Sequence, residues 1–269
     1  MSRRPLPRAL LAALLVAATA GPALGGLADQ VGATFSLMLE DVVAAFPGVD
    51  GVVAAVDHDR VFLDLAEKDG LKPGQELTIY RKGDAFRHPV TGKVLGRYEE
   101  VLGYAQVRQV FPSYSEAVLV PAPQAPAVRP DDGARITRGR LRVAVTPVLD
   151  VTSVTADLRR VPFMIALGLE QTKRFQTADP AAVQEELLKH GARVEELFVR
   201  PEKAVVIGKL LEVSGWVVPI LLERRGVTYL DVTWISAVTG SALFSRRLAL
   251  SRGDTVADQR FPWEPRRED

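Results

Sequence analysis

The chain contains no cysteine, which excludes disulfides, thiolate metal sites, a cysteine nucleophile and a lipid-bearing cysteine at a mature amino terminus. Histidine is almost as scarce: His58, His88 and His190 are scattered, so a histidine-based catalytic or metal cluster has little to work with. A surplus of either charge is also missing. The formal charge is +1, and Arg3, Arg4 and Arg8 more than account for it, so the chain after the first 25 residues is slightly acidic. That balance argues against a nucleic-acid binder. Long hydrophobic runs are absent after residue 20, because charge breaks every later apolar segment within a few residues. What remains is 269 residues with 47% hydrophobic and 25% charged side chains, enough for one large core or two small ones.

Three arginines without an acid in residues 1–8, an apolar run over 9–20, and Ala23 and Gly25 before a cut describe a secretory signal peptide. Leu27, Val31, Phe35, Met38, Val42 and Ala45 then recur at steps of three and four, which predicts an amphipathic helix stopped by Pro47 and Gly48. Its polar face is acidic, so it reads as a packing helix over a barrel end, not a membrane-surface helix. The pattern next becomes alternating. Val52 to Val56 and Val61 to Leu65 flank the polar turn Asp57-His58-Asp59-Arg60 as a β-hairpin. Turns at Gly70, Pro73-Gly74 and Thr91-Gly92-Lys93 separate strands at Leu77 to Ile79, Val94 to Leu95, Gly103 to Phe111 and Glu116 to Val120. Five or six strands in so short a stretch predict a closed antiparallel barrel of SH3-like form. Pro121, Pro123, Pro126 and Pro130 place a surface loop before a last short strand at Ala134 to Thr137.

The run Asp69-Gly70-Leu71-Lys72-Pro73-Gly74-Gln75-Glu76-Leu77, with Tyr80-Arg81, Thr91 to Gly96 and Gly103 to Val107, resembles the carboxy-terminal domain of flagellar assembly protein T. The resemblance implies an SH3-like barrel and a periplasmic protein that helps build a ring at the flagellar base. In that family the barrel comes last, whereas here it follows the leader.

After Arg138-Gly139-Arg140 the expected order is a strand over Leu141 to Leu149, then a helix from Pro162 through Phe163, Leu167 and Leu169. A short strand over Phe175 to Ala178 leads into a helix capped by Asp179, opened by Pro180 and closed by Lys189, His190 and Gly191. A further short helix spans Val194 to Val199. Val205 to Val213, Trp216 to Glu223, Val227 to Ser236 and Ala242 to Leu250 read as four successive strands, with the helices on one sheet face. Val143 to Leu149, Arg174 to Pro180, Val206 to Lys209 and Tyr229 to Gly240 resemble the α/β domain shared by the TolB amino-terminal domain, the curli secretion channels and the penicillin-binding-protein activators. That resemblance implies periplasmic protein contacts.

Catalytic signatures do not emerge. Gly92-Lys93 and Gly208-Lys209 lack the remaining residues of a phosphate loop, and Ser214-Gly215 lacks the glycine of a nucleophile elbow. The neighbours Glu99-Glu100, Asp131-Asp132 and Glu185-Glu186 point apart in regular structure and read as exposed charge. Trp216, Tyr229, Trp234, Phe261 and Trp263 are the candidate binding residues, the last two in a charged, proline-containing tail. The sequence therefore predicts an α+β two-domain protein: signal peptide 1–25, helix plus SH3-like barrel 26–138, α/β domain 139–250 with a mostly antiparallel sheet, and tail 251–269. Its expected role is a non-enzymatic periplasmic scaffold for an envelope, secretion or flagellum-like machine, with no cofactor, no metal and no nucleic acid. Its partners are envelope proteins, outer-membrane or basal-body components among them. Peripheral membrane association and a homo-oligomer stay open. The alternatives are a glycan- or small-ligand-binding module on Trp216, Tyr229 or Trp234, and an enzyme using Asp64, Asp231 or Glu212.

Overall fold

The computed structural model describes residues 26–137, 139–153 and 156–250. Residues 1–25, expected as a signal peptide ending near Ala23 and Gly25, and residues 251–269 with Phe261 and Trp263, lie outside the described residues. Helix α1 (Leu27–Ala44) comes first. Strands β1 (Asp50–Asp57), β2 (Arg60–Leu63), β3 (Glu76–Arg87), β4 (Val94–Val110), β5 (Ser115–Pro121) and β6 (Gly133–Arg135) follow it. The six close into a barrel in the order β1-β2-β5-β4-β3-β6, every pairing antiparallel. The turn residues set this path. His58 takes a positive φ at the β1–β2 turn, and Gly70 and Gly74 do so in the segment that re-enters at β3.

Strands β3 and β4 are longer than the barrel needs. Pairing with β6 ends at Tyr80 and pairing with β5 begins at Gly103, so residues 81–101 form a free two-stranded arm. At the root of this arm the Arg81 guanidinium donates to both oxygens of Asp132, at 2.7 Å each. Asp132 is buried, which corrects its reading as an exposed charge. Burial pushes its carboxyl up, but the Arg81 hydrogen bonds and the Arg129 backbone N–H outweigh that and hold it below the ordinary carboxylate range.

The second unit contains β7 (Leu141–Val145), β8 (Leu149–Asp150), α2 (Val161–Gln171), β9 (Phe175–Thr177), α3 (Pro180–Lys189), α4 (Glu196–Val199), α5 (Pro201–Leu210), β10 (Gly215–Arg224), β11 (Val227–Ser236) and β12 (Ala242–Ala249). Its sheet runs β12-β11-β10-β7-β9, with β8 beside β10. The β10-β11-β12 meander is antiparallel and the β7, β8 and β9 pairings are parallel. Thr146 and Pro147 interrupt the single strand expected over Leu141 to Leu149.

Three expectations need correcting. Val205 to Val213 is not a strand: Pro201 at the first helical position, Glu202 in the first turn and Lys209 in the last make α5, whose Ala204, Ile207 and Gly208 face inward. Local β-branched content lost to helix-end chemistry and tertiary burial. The helices also cover both sheet faces. Ala144, Trp216, Val218 and Ile235 pack under α3, α4 and α5, while Val143, Val145, Val217 and Val232 belong to the core with α1 and α2. Finally, α1 lies against α2, β11 and β12 instead of covering a barrel end. The face of the sheet left open by α3 to α5 needs a second layer, and Val31, Phe35, Met38 and Val42 supply it. Gly168, beside the Phe35 ring, lets α1 and α2 approach closely.

The two units thereby share a core. Val53, Leu63, Leu77, Ile79 and Leu102 inside the barrel are contiguous with Phe35, Ile165, Leu169 and Val232 of the α/β layers. The arrangement is a mixed α+β fold of two sheets joined through a helix that precedes the first and packs on the second.

Candidate functional site

The junction of the two units is built from the end of α1 outward. Pro47 and Gly48 turn the chain toward β1, and Phe46 immediately before them enters the α/β core. Its ring lies 4.1 Å from Trp234 and 6.2 Å, edge-on, from Phe175. Trp234 occupies the space that Gly215 leaves by having no side chain. Arg174 clamps the same place from outside, donating to the Phe46 carbonyl at 3.1 and 2.8 Å.

Beside this aromatic group the barrel inserts Glu76, the first residue of β3, into the turn between β11 and β12. Ser236 Oγ donates to one carboxylate oxygen at 2.8 Å and Thr239 Oγ1 to the other at 2.6 Å. Ser236 Oγ also accepts the backbone N–H groups of Val238 and Thr239, so the carboxyl completes a closed network. Burial pushes the Glu76 carboxyl above its ordinary value, against the pull of the two hydroxyls. A cavity of about 250 Å³ adjoins it, lined among others by Thr78, Tyr104, Arg140, Ser214 and Trp234. Burial, and secondarily the charge of Glu76, raises the Tyr104 hydroxyl. This is the chemistry of a structural contact: one carboxyl, two hydroxyl donors and an aromatic wall.

The aromatic residues singled out in the sequence do not converge. Trp216 is fully buried under α5, its Nε1 donating to the Ala204 carbonyl at 3.0 Å. Trp234 belongs to the opposite sheet face, with Phe46. Tyr229 is five residues from Trp234 on β11, which puts it on the other face of that strand, toward the far end of the meander. The candidate acids are likewise apart and engaged. Asp64 accepts the Val52 N–H at 2.6 Å, Glu212 pairs with Arg142 at 3.0 Å, and Asp231 holds Arg247, Ser245 and Thr233. His58 pairs with Asp57 on an exposed turn, and His190 closes α3 with Nδ1 3.0 Å from the Glu186 carbonyl oxygen.

Sequence reasoning missed the outer face of α2 and α3. The inward stripe of α2 is Val161, Ile165 and Leu169, so Phe163 and Leu167, expected simply as members of this helix, stand outside it, 50% and 59% exposed. Phe163 shares the lining of an open cleft of about 370 Å³ with Pro147, Val148, Leu158, Pro162 and Pro180. One turn beyond Gln184, on the α3 side of that cleft, Leu188 is 71% exposed. The signal was available: two stripes offset by two residues cannot both face a core. Phe163 lines the cleft, and Leu167 and Leu188 are exposed one turn along α2 and α3 from cleft residues, so large apolar side chains stand uncovered on both helices. Among the described residues no helix is long and apolar enough to cross a membrane.

No family model matches the chain. No curated protein matches it either. Among solved structures, the carboxy-terminal domain of LpoB from Escherichia coli aligns at 13% identity and a TM-score of 0.36, covering 43% of this chain and 85% of that one. An NMR structure of E. coli LpoB aligns at 13% identity and 0.37, covering 42% and 58%. A lipoprotein from Neisseria meningitidis gives 18% identity and 0.35, covering 43% and 83%. All three likenesses are partial.

Proposed function

We propose that this chain is an exported, non-enzymatic envelope protein that acts as an interaction scaffold in assembling an envelope, secretion or appendage machine. In this reading residues 1–25 direct export, the helix and barrel of 26–138 and the α/β unit of 139–250 move as one body, and the tail 251–269 carries further contacts. The carrying observation is the exposure of Phe163, which lines the cleft beside α2 and α3, together with Leu167 and Leu188, exposed one turn along those helices. These side chains are mounted on helices whose other faces are locked into the cores, so they meet a partner without a large ordering cost. A fixed apolar patch with a charged rim is the anatomy of a protein contact. The rim here includes Asp157 and Arg159, which form an ion pair at 2.7 Å.

A glycan- or small-ligand-binding role is less well supported. It needs an accessible aromatic platform, whereas Trp216 is enclosed and Trp234 is packed against Phe46. The experiment is a photo-reactive amino acid placed at Leu167 and activated in the native host. Adducts with envelope proteins are expected, and they should disappear when Phe163 is replaced by aspartate. A free, uncrosslinked protein would oppose the scaffold reading.

A further inference from the structure

The β3–β4 arm has no role in the scaffold contact just described. Residues 81–101 extend beyond the barrel pairings, so each strand runs about 20 Å outward at the usual rise per residue. The arm is a built element. At its tip the His88 N–H donates to the Lys93 carbonyl at 2.8 Å, the Gly92 N–H returns to the His88 carbonyl at 2.9 Å, and Gly92 adopts a positive φ. His88 Nδ1 accepts the N–H groups of Val90 and Thr91 at 3.2 Å each. The Phe86 ring covers Gly96 on the facing strand and lies 5.3 Å from Tyr98.

Two features of the distal half belong together. Its apolar side chains are uncovered: Phe86, Val94, Leu95 and Tyr98 are exposed, and Val90 at the extreme tip is 86% exposed. Its cations are unneutralised. At the arm's root, Arg81 is paired with Asp132 and Arg135 with Glu99. Farther out, Arg87 and Arg97 instead donate to the backbone carbonyls of Gly92 and Gly83, and among the described residues neither they nor Lys93 form an ion pair with a carboxylate. Asp84 is the sole acid from residue 83 to residue 98. Strand addition along the arm's open edges is disfavoured by register shifts between Lys82 and Ala85 and between Phe86 and Arg87. Because apolar groups stand on both strands and at the turn, end-on entry into a surrounding medium buries them together.

We propose that the tip of this arm inserts end-on into the headgroup layer of an anionic lipid bilayer. Val90, Val94 and Leu95 reach the acyl boundary, Phe86 and Tyr98 lie at interfacial depth, and Arg87, Lys93 and Arg97 meet lipid phosphates. The scaffold reading supplies only the setting, an envelope with a bilayer at hand. The arm is longer than the roughly 5–10 Å by which interfacial elements enter a membrane, so the barrel stays outside.

The test uses the chain from Gly26 to its end, which holds the whole described fold, in co-sedimentation with phosphatidylcholine vesicles with and without phosphatidylglycerol. Binding is expected to the anionic vesicles alone, weakening with salt. A Lys93→Gln substitution should lower partitioning about fivefold, and Arg87→Gln, Lys93→Gln and Arg97→Gln together about a hundredfold. The double variant Val90→Asp and Leu95→Asp should abolish it, with an unchanged denaturation midpoint because both side chains lie outside the cores. Leu188→Asp, on the α2–α3 face, should bind like the parent. No binding to anionic vesicles, equal binding to neutral ones, or binding indifferent to the tip variants would overturn the proposal. So would a photo-reactive residue at Val90 that captures an acidic protein in place of lipid. None of these results touches the Leu167 crosslink, so the scaffold reading and the bilayer contact fail separately.

Discussion

Replacing Phe46 by alanine probes whether barrel and α/β layers behave as one body. The ring is 5% exposed, packs at 4.1 Å on Trp234 and edge-on at 6.2 Å on Phe175, and ends the helix that joins the two units. Truncating a buried phenylalanine costs about 3–5 kcal/mol, because the removed surface and the cavity both count against the folded state. The aromatic contacts are worth about 0.5–1.5 kcal/mol beyond burial alone. The Arg174 bonds to the Phe46 carbonyl survive the change, which keeps the loss near the middle of that range. For a body of this size each kcal/mol lowers Tm by about 2–4 °C, so a fall of about 10 °C is expected. Urea and thermal denaturation, followed by far-ultraviolet circular dichroism and tryptophan fluorescence, should give one coincident transition before and after the substitution. A loss below about 1 kcal/mol, or two transitions of which one does not move, would refute the shared-core argument.

Two further predictions concern titration at the junction and at the arm's root. Glu76 is raised by burial, so its contribution to stability is full below the ordinary glutamate range and is lost as pH rises through its raised value; Glu76→Gln should stabilise at neutral pH on the order of 1 kcal/mol and be indistinguishable near pH 4, measured by urea midpoints. Asp132 has the opposite sign: its lowered carboxyl contributes stability above the ordinary aspartate range that is lost as pH falls through its depressed value. Arg81→Ala leaves that carboxylate buried with the Arg129 N–H, and should cost about 2–4 kcal/mol at pH 7 and much less at low pH. An Arg81→Ala penalty independent of pH would contradict the charge pairing.

The barrel was legible because its information is local. The Asp57 to Arg60 turn, Pro73-Gly74 and Thr91-Gly92-Lys93 mark the reversals and alternation marks the strands, although Val94 to Leu95 and Gly103 to Phe111, expected as separate strands, are one continuous strand, β4. The α3 boundaries were legible for the same reason: Asp179 accepts the Ala181 N–H at 3.1 Å, and Gly191 takes the positive φ that ends the helix. Helix α5 was not, since Ala204 to Ile207 is apolar throughout and fits a strand as well as a helix. Pro201 was the deciding residue. The placement of α1 was hidden for a different reason. Its apolar stripe says that it packs, but the sheet that receives it lies beyond the whole barrel in sequence. Glu76 was invisible in the same way, because its burial arises only where β3 meets a turn 160 residues further on. Interaction surfaces were least legible. A stripe such as Phe163 and Leu167 becomes an exposed patch only once Val161, Ile165 and Leu169 are known to face the core.

The most direct test of the central claim is photo-crosslinking from Leu167 in the native host, with mass spectrometry of the adducts. The scaffold account expects covalent products with envelope proteins that vanish with Phe163→Asp while the fold is retained. A protein that stays uncrosslinked, or yields the same adducts whether or not Phe163 is charged, would contradict it.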